Sequence, residues 1–181
     1  MTGKTAELKL NSLLELFPGN DFEDCGMQVV SGLEVPAPYD RLLVHAGHMT
    51  VTLERRHGAP VELRVIESRR CGDDYGRRLT LSVRDGEKVV LGGIMRIRLT
   101  CCAEKVREEI LSGRTPLGRI LIENAVLRSI EPEAYLRLEL TPRLRRLFRA
   151  GDGHNVTYGR IARIVCADET AVELLEVVAP E

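Results

Sequence analysis

Apolar residues recur along this chain with two different periods, and the change of period divides it. Leu10, Leu13, Leu14 and Phe17 fall at i, i+3, i+4 and i+7, one face of a helix that Pro18-Gly19-Asn20 terminates. Residues 21–38 show little periodicity beyond a short strand at Met27 to Val30, and connections of that length are often functional. Tyr39 to Ala46 reads as a short helix opened by Pro38 and broken by Gly47-His48. Thr50 is then placed to cap a further helix, with Val51 and Leu53 as its apolar side. Arg55-Arg56-His57-Gly58 ends that helix with basic side chains and a glycine, as the helix dipole favours.

From Val61 the period becomes two. Val61, Leu63 and Val65 start one strand, Tyr75 to Val83 forms a second, and Lys88 to Leu99 returns from a hairpin turn at Arg84-Asp85-Gly86-Glu87. Glu104 to Leu111 is an amphipathic helix. The turn Gly113-Arg114-Thr115-Pro116-Leu117-Gly118-Arg119 follows, and Ile120 to Glu123 adds one helical turn. Strands are expected at Leu127 to Ile130 and Tyr135 to Leu140, separated around Pro132, and a short helix at Pro142 to Ala150. Val156 to Cys166 and Ala171 to Val178 are the last strands, joined at Asp168-Glu169-Thr170. The sum is α+β: about six antiparallel strands with helices inserted in blocks. A ligand then belongs on the sheet or in the helix–sheet seam.

Composition narrows the classes. At 181 residues the chain is one ordinary domain, and 44% apolar with 29% charged residues is globular. A net charge of −1 gives no pull toward nucleic acid or an anionic membrane. No apolar run approaches the ~20 residues that span a bilayer, and Met1 to Asn11 has no signal-peptide pattern, so a cytoplasmic protein is expected. Five cysteines without a C-x-x-C indicate neither a disulfide framework nor a zinc ribbon. Nucleotide-binding glycine motifs, a nucleophile elbow and H-E-x-x-H are absent, and no metal site is expected at His45 and His48. The arginines at 143, 145, 146 and 149 read as a solvated helix face, because 4% aromatics leave little for base stacking.

The candidate chemistry lies elsewhere. The 113–119 turn presents backbone N–H groups between two arginines, a setting that suits a carboxylate or phosphate, with Met49-Thr50, Arg78 and Glu176 as further walls. Alternation sends Arg77 and Arg78 to opposite faces of their strand, and likewise Glu173 and Glu176. One arginine and one glutamate therefore point inward. They form either a structural ion pair, or a pocket in which the arginine holds a substrate carboxylate and the glutamate handles a hydroxyl or proton.

The order Gly47-His48-Met49-Thr50 with Leu53-Glu54, then Tyr75-Gly76-Arg77-Arg78, then Thr115-Pro116-Leu117-Gly118-Arg119, then Tyr158-Gly159-Arg160, then Leu175-Glu176 resembles the chorismate pyruvate-lyase (4-hydroxybenzoate synthase) family from about Leu42 to Pro180. The resemblance implies a single antiparallel sheet with helices on one side and an enclosed cavity. It implies conversion of chorismate to 4-hydroxybenzoate and pyruvate without metal or cofactor. It carries the product carboxylate onto Arg78 and the backbone N–H groups of Met49 and Leu117, beside Thr50 and Gly118, and the essential glutamate onto Glu176, with Glu173 as the fallback. The sequence departs from the family at Gly93, where an arginine is usual, and in its aliphatic ending. Non-catalytic small-molecule sensor domains of transcription regulators share the fold, so an aromatic-carboxylate sensor is the alternative.

Overall fold

The computed structural model describes residues 3–83 and 86–181. The helices are α1 (Gly3–Leu14), α2 (Tyr39–Leu43), α3 (Met49–His57), α4 (Glu104–Ser112), α5 (Leu117–Glu123) and α6 (Pro142–Phe148). The strands are β1 (Met27–Val30), β2 (Glu62–Cys71), β3 (Asp74–Val83), β4 (Lys88–Arg98), β5 (Ser129–Glu139), β6 (Val156–Cys166) and β7 (Glu169–Val178). All seven strands join one sheet in the order β1-β5-β6-β7-β4-β3-β2, with every neighbouring pair antiparallel. This is the chorismate lyase-like α+β architecture. Arg84 and Asp85, in the expected hairpin turn, lie outside the described residues; the strands on either side of it pair as anticipated.

Two local expectations fail for physical reasons. Pro132 does not interrupt a strand: β5 runs through it, with a register shift between Pro132 and Ala134. β1 reaches only Tyr135 to Leu138 of β5, so this proline sits where one side of the strand needs no ladder bonds. Thr50 is not the cap of α3. The helix starts at Met49 behind an extended His48, and Thr50 is buried inside the first turn.

Alternation along the strands gives the sheet two apolar faces. Leu79, Leu81, Met95, Ile97, Ile164 and Leu174 pack with Leu53, Val106, Ile110, Ile120 and Leu121 of α3, α4 and α5. On the reverse face Ile94, Leu136, Ile161, Leu175 and Val177 pack with Leu10, Leu13, Phe17, Phe22, Leu144 and Phe148. Helices therefore cover both faces: α1 and α6 add a second layer to the single one expected. Gly92 marks how closely that layer approaches, because a Cβ there would stand 3.0 Å from Leu147 and 3.1 Å from Phe22.

The stop after α1 is built by Asn20, which is 1% exposed. Its Nδ2 donates to the carbonyls of Leu14 and Phe17, and its Oδ1 accepts from the Phe22 amide. One buried side chain thus satisfies three backbone groups around the turn. Phe17, fully buried beside it, anchors the second layer. Phe17→Ala should cost about 3–5 kcal/mol, read as a lower midpoint in urea unfolding.

Candidate functional site

The face under α3, α4 and α5 carries the charged residues that matter, and strand register arranges them in rows. One row runs Leu79, Gly93, Glu176, Arg160 across β3, β4, β7 and β6; the next runs Arg77, Met95, Leu174, Ala162. Two helix starts close over these rows. The segment from Leu43 to His48 delivers the N-terminus of α3, and the Pro116 turn delivers that of α5. Gly113 ends α4 in the left-handed region at φ 65°, so the 113–119 stretch is a helix stop followed directly by a helix start. Gly118 lets the two starts touch: a Cβ there would lie 2.9 Å from Thr50 Oγ1 and 3.1 Å from His48 Nδ1.

Between the helix starts and the sheet lies a cavity. Its walls include Met49, Thr50, Leu117, Gly118 and Glu176, so the structure brings together five of the six residues selected from the sequence. Its charged lining is Arg77, Arg160 and Glu176, with His48 at one side. The rest is mainly aliphatic, from Leu63, Leu79, Leu81, Leu91, Ile130, Ile164 and Leu174.

Arg78 does not belong to the site. It points to the reverse face, where it bonds Asp21 and lies 3.8 Å from Glu67. The inward arginine is Arg77, which shares its parity with Tyr75, Leu79, Leu81 and Val83. Glu173 also turns to the reverse face, where Arg96 holds it at 3.0 Å, so Glu176 is the inward glutamate.

Arg77 is 0% exposed, and neither of its terminal nitrogens has a hydrogen-bond partner among the described residues. Its Nε meets the sulfur of Met95 at 3.2 Å. Burial pulls its pKa down to about 10, against a small opposing influence of Tyr75, so it remains a cation at neutral pH. A buried guanidinium left unpaired costs several kcal/mol, and an anion in the cavity would relieve that cost.

Arg160 is handled differently. Its Nε donates to Glu176 Oε2 at 2.7 Å, and its terminal nitrogens donate to the carbonyls of Leu43, His45 and Gly47. Strand alternation already placed Arg160 with Tyr158, Ala162 and Ile164, a signal the sequence carried. With Arg160 matched by Glu176, the lining keeps one net positive charge, at Arg77. Gly93 cannot substitute as a cation-bearing position, because a Cβ there would lie 2.7 Å from the Leu175 carbonyl oxygen.

His48 accepts a hydrogen bond from Arg128 Nε at 2.8 Å. Burial, then the charges of Arg128 and Arg160, depress its pKa to about 4. Arg128 was not singled out from the sequence, and His48 was weighed there only as a metal ligand and as part of the Gly47 to Thr50 motif; their meeting depends on an 80-residue separation closing. The arginines flanking the turn take no part: Arg119 pairs with Glu54 of α3, and Arg114 is exposed. Among the described residues no group of three potential ligands is arranged to hold a metal, and no helix is long and apolar enough to cross a membrane.

Compared by sequence with family models and with curated proteins, the chain matches none. Solved structures do resemble it. The effector domain of PhnF from Mycobacterium smegmatis aligns with a TM-score of 0.52 at 10% identity, over 77% of this chain and 92% of that one. The PhnF structure from the same organism aligns at 0.48 and 11%, over 77% of this chain and 66% of that one. A GntR-family transcriptional regulator from Bacillus cereus aligns at 0.44 and 9%, over 66% and 92%. At such identities the PhnF effector domain bears on the fold alone.

The folded-state pKa of His48 lies below its ordinary 6.5, so the unfolded chain takes up this proton first as pH falls. Stability linked to His48 is therefore complete above about pH 6.5 and declines toward pH 4. Urea midpoints measured across that window should fall, and fall less steeply in His48→Gln.

Proposed function

We propose that this domain binds a small organic carboxylate, of aromatic-acid size, and serves as a ligand-sensing module. The observation that carries this reading is Arg77, a fully buried guanidinium whose terminal nitrogens are unpartnered and which lines an aliphatic cavity. The start of α3 supports it. Met49 and Thr50 are at the first turn, where backbone amides lack intrahelical acceptors and the helix dipole favours negative charge, and His48 provides no side-chain cap. Leu117 and Gly118 bring a second helix start to the same wall. The charge sum also agrees: one uncompensated cation matches one carboxylate better than a phosphate dianion. The likeness in fold to the PhnF effector domain accords with a binding role.

A second reading rests on Glu176, which lines the same cavity as Arg77. It is the lyase reaction: chorismate loses its enolpyruvyl group as pyruvate and the ring aromatises to 4-hydroxybenzoate, with no cofactor. In that reaction the fold would bind, orient and exclude water, and Glu176 would assist proton movement near the ring. Two features weigh against it. Chorismate is a dianion facing one net charge, and Glu176 already holds Arg160.

Calorimetric titration with 4-hydroxybenzoate tests the first reading. Wild type should bind, and Arg77→Gln should weaken binding at least about 30-fold, the usual effect of removing one partner of a buried charge pair. The same substitution should leave the ligand-free thermal midpoint unchanged or raised, because it removes an unpaired buried charge. A pyruvate assay with chorismate separates the readings. A sensing module releases none, whereas turnover that collapses in Glu176→Gln establishes the lyase.

A further inference from the structure

A second cavity lies on the same face of the sheet, under α4 and α5, and Leu117 borders both. Its floor continues the strands of the first. Met95 and Leu174 belong to the row of Arg77, and Ile97 and Val172, two residues further along β4 and β7, line the second cavity. Two residues of strand correspond to about 7 Å. No charged side chain lines this space. Its most polar walls are the thiols of Cys101, Cys102 and Cys166, and burial pushes all three pKa values up, so they stay protonated and behave as small apolar groups.

We propose that the ligand is an amphipathic acid: a carboxylate at Arg77 with an apolar tail that extends past Leu117 into the second cavity. This rests on the carboxylate-binding reading of the first cavity and specifies its ligand class. The arrangement is polar at one end and apolar at the other. Leu117, at the start of the seven-residue helix α5, lines both spaces. A tail that passes between them requires the Leu117 side chain to move aside, a rotamer change. In this arrangement a benzoate head lies in the first cavity with its carboxylate at Arg77, and a para-alkyl chain continues along Ile97 and Val172.

The test is calorimetric titration of the full chain with benzoate and with 4-alkylbenzoates from methyl to hexyl. Affinity should rise about fourfold per methylene once the tail reaches the second cavity, the increment expected for burying a methylene. Filling that cavity by Val126→Phe, or independently by Cys102→Phe, should reduce the ratio of hexyl to methyl affinity toward one. Circular dichroism melts check that each variant folds. Arg77→Gln should weaken every member by a similar factor. Affinity that stays flat or falls with tail length, while benzoate binds, overturns the tail site and leaves the carboxylate reading intact. A rise that both filling variants leave untouched also overturns it, because the tail then lies elsewhere. Failure of benzoate and all its alkyl derivatives to bind wild type overturns the carboxylate reading and this inference with it.

Discussion

The Arg160–Glu176 pair at the centre of the sheet is the interaction on which the site depends. It joins neighbouring strands β6 and β7 where both face the cavity, with Arg160 1% exposed on its side chain. Bare, that guanidinium would be intolerable in an apolar layer; with Glu176 and three backbone carbonyls it is satisfied. Those carbonyls belong to the segment between α2 and α3. The pair thereby fixes the approach to α3 and hence where the Met49 and Thr50 amides point. Gly118 then seats α5 against them.

Against this satisfied pair, Arg77 stands out because it shares the face, the burial and the residue type, yet lacks a carboxylate. Arg77 and Glu176 are two strands and one row apart, roughly 12 Å between backbones at ordinary strand spacing. The inward arginine and glutamate expected from the sequence therefore do not pair with each other: Glu176 is taken by Arg160, and the terminal nitrogens of Arg77 have no partner among the described residues. Arg160 with Glu176 is a structural ion pair, and Arg77 is the cation to which the proposed carboxylate is assigned. A lyase would ask Glu176 to serve both purposes, whereas a binding module asks only that the cavity exist and be charged.

Much of the fold was legible because most strands alternate apolar and polar residues and because α3 and α4 end at glycines. The β3 pattern even contained the answer to the arginine question. Tyr75, Leu79, Leu81 and Val83 are one parity and Gly76, Arg78, Thr80 and Ser82 the other, so Arg77 belongs with the apolar set. The family resemblance pointed to Arg78 instead. Five of the six selected residues nevertheless meet at one cavity, since the 49–50 and 117–118 pieces stand at the first turns of the two helices that close over it. The second helical layer was harder to read. Small and polar residues on the reverse face of β3 and β4, such as Gly76, Thr80 and Gly92, suggest exposure, yet α1 and α6 cover that face because glycine permits close approach.

Most of the elements, their antiparallel character and the residue types able to hold an anion were readable from the chain alone. Each of these follows from local period, backbone preference and charge. Only the tertiary structure decided which charges are spent on one another. Pairing Arg160 with Glu176, Arg78 with Asp21 and Arg96 with Glu173 requires contacts across 16, 57 and 77 residues, set by strand register and by which layer covers each face. Arg77 is conspicuous solely because those other pairings are complete.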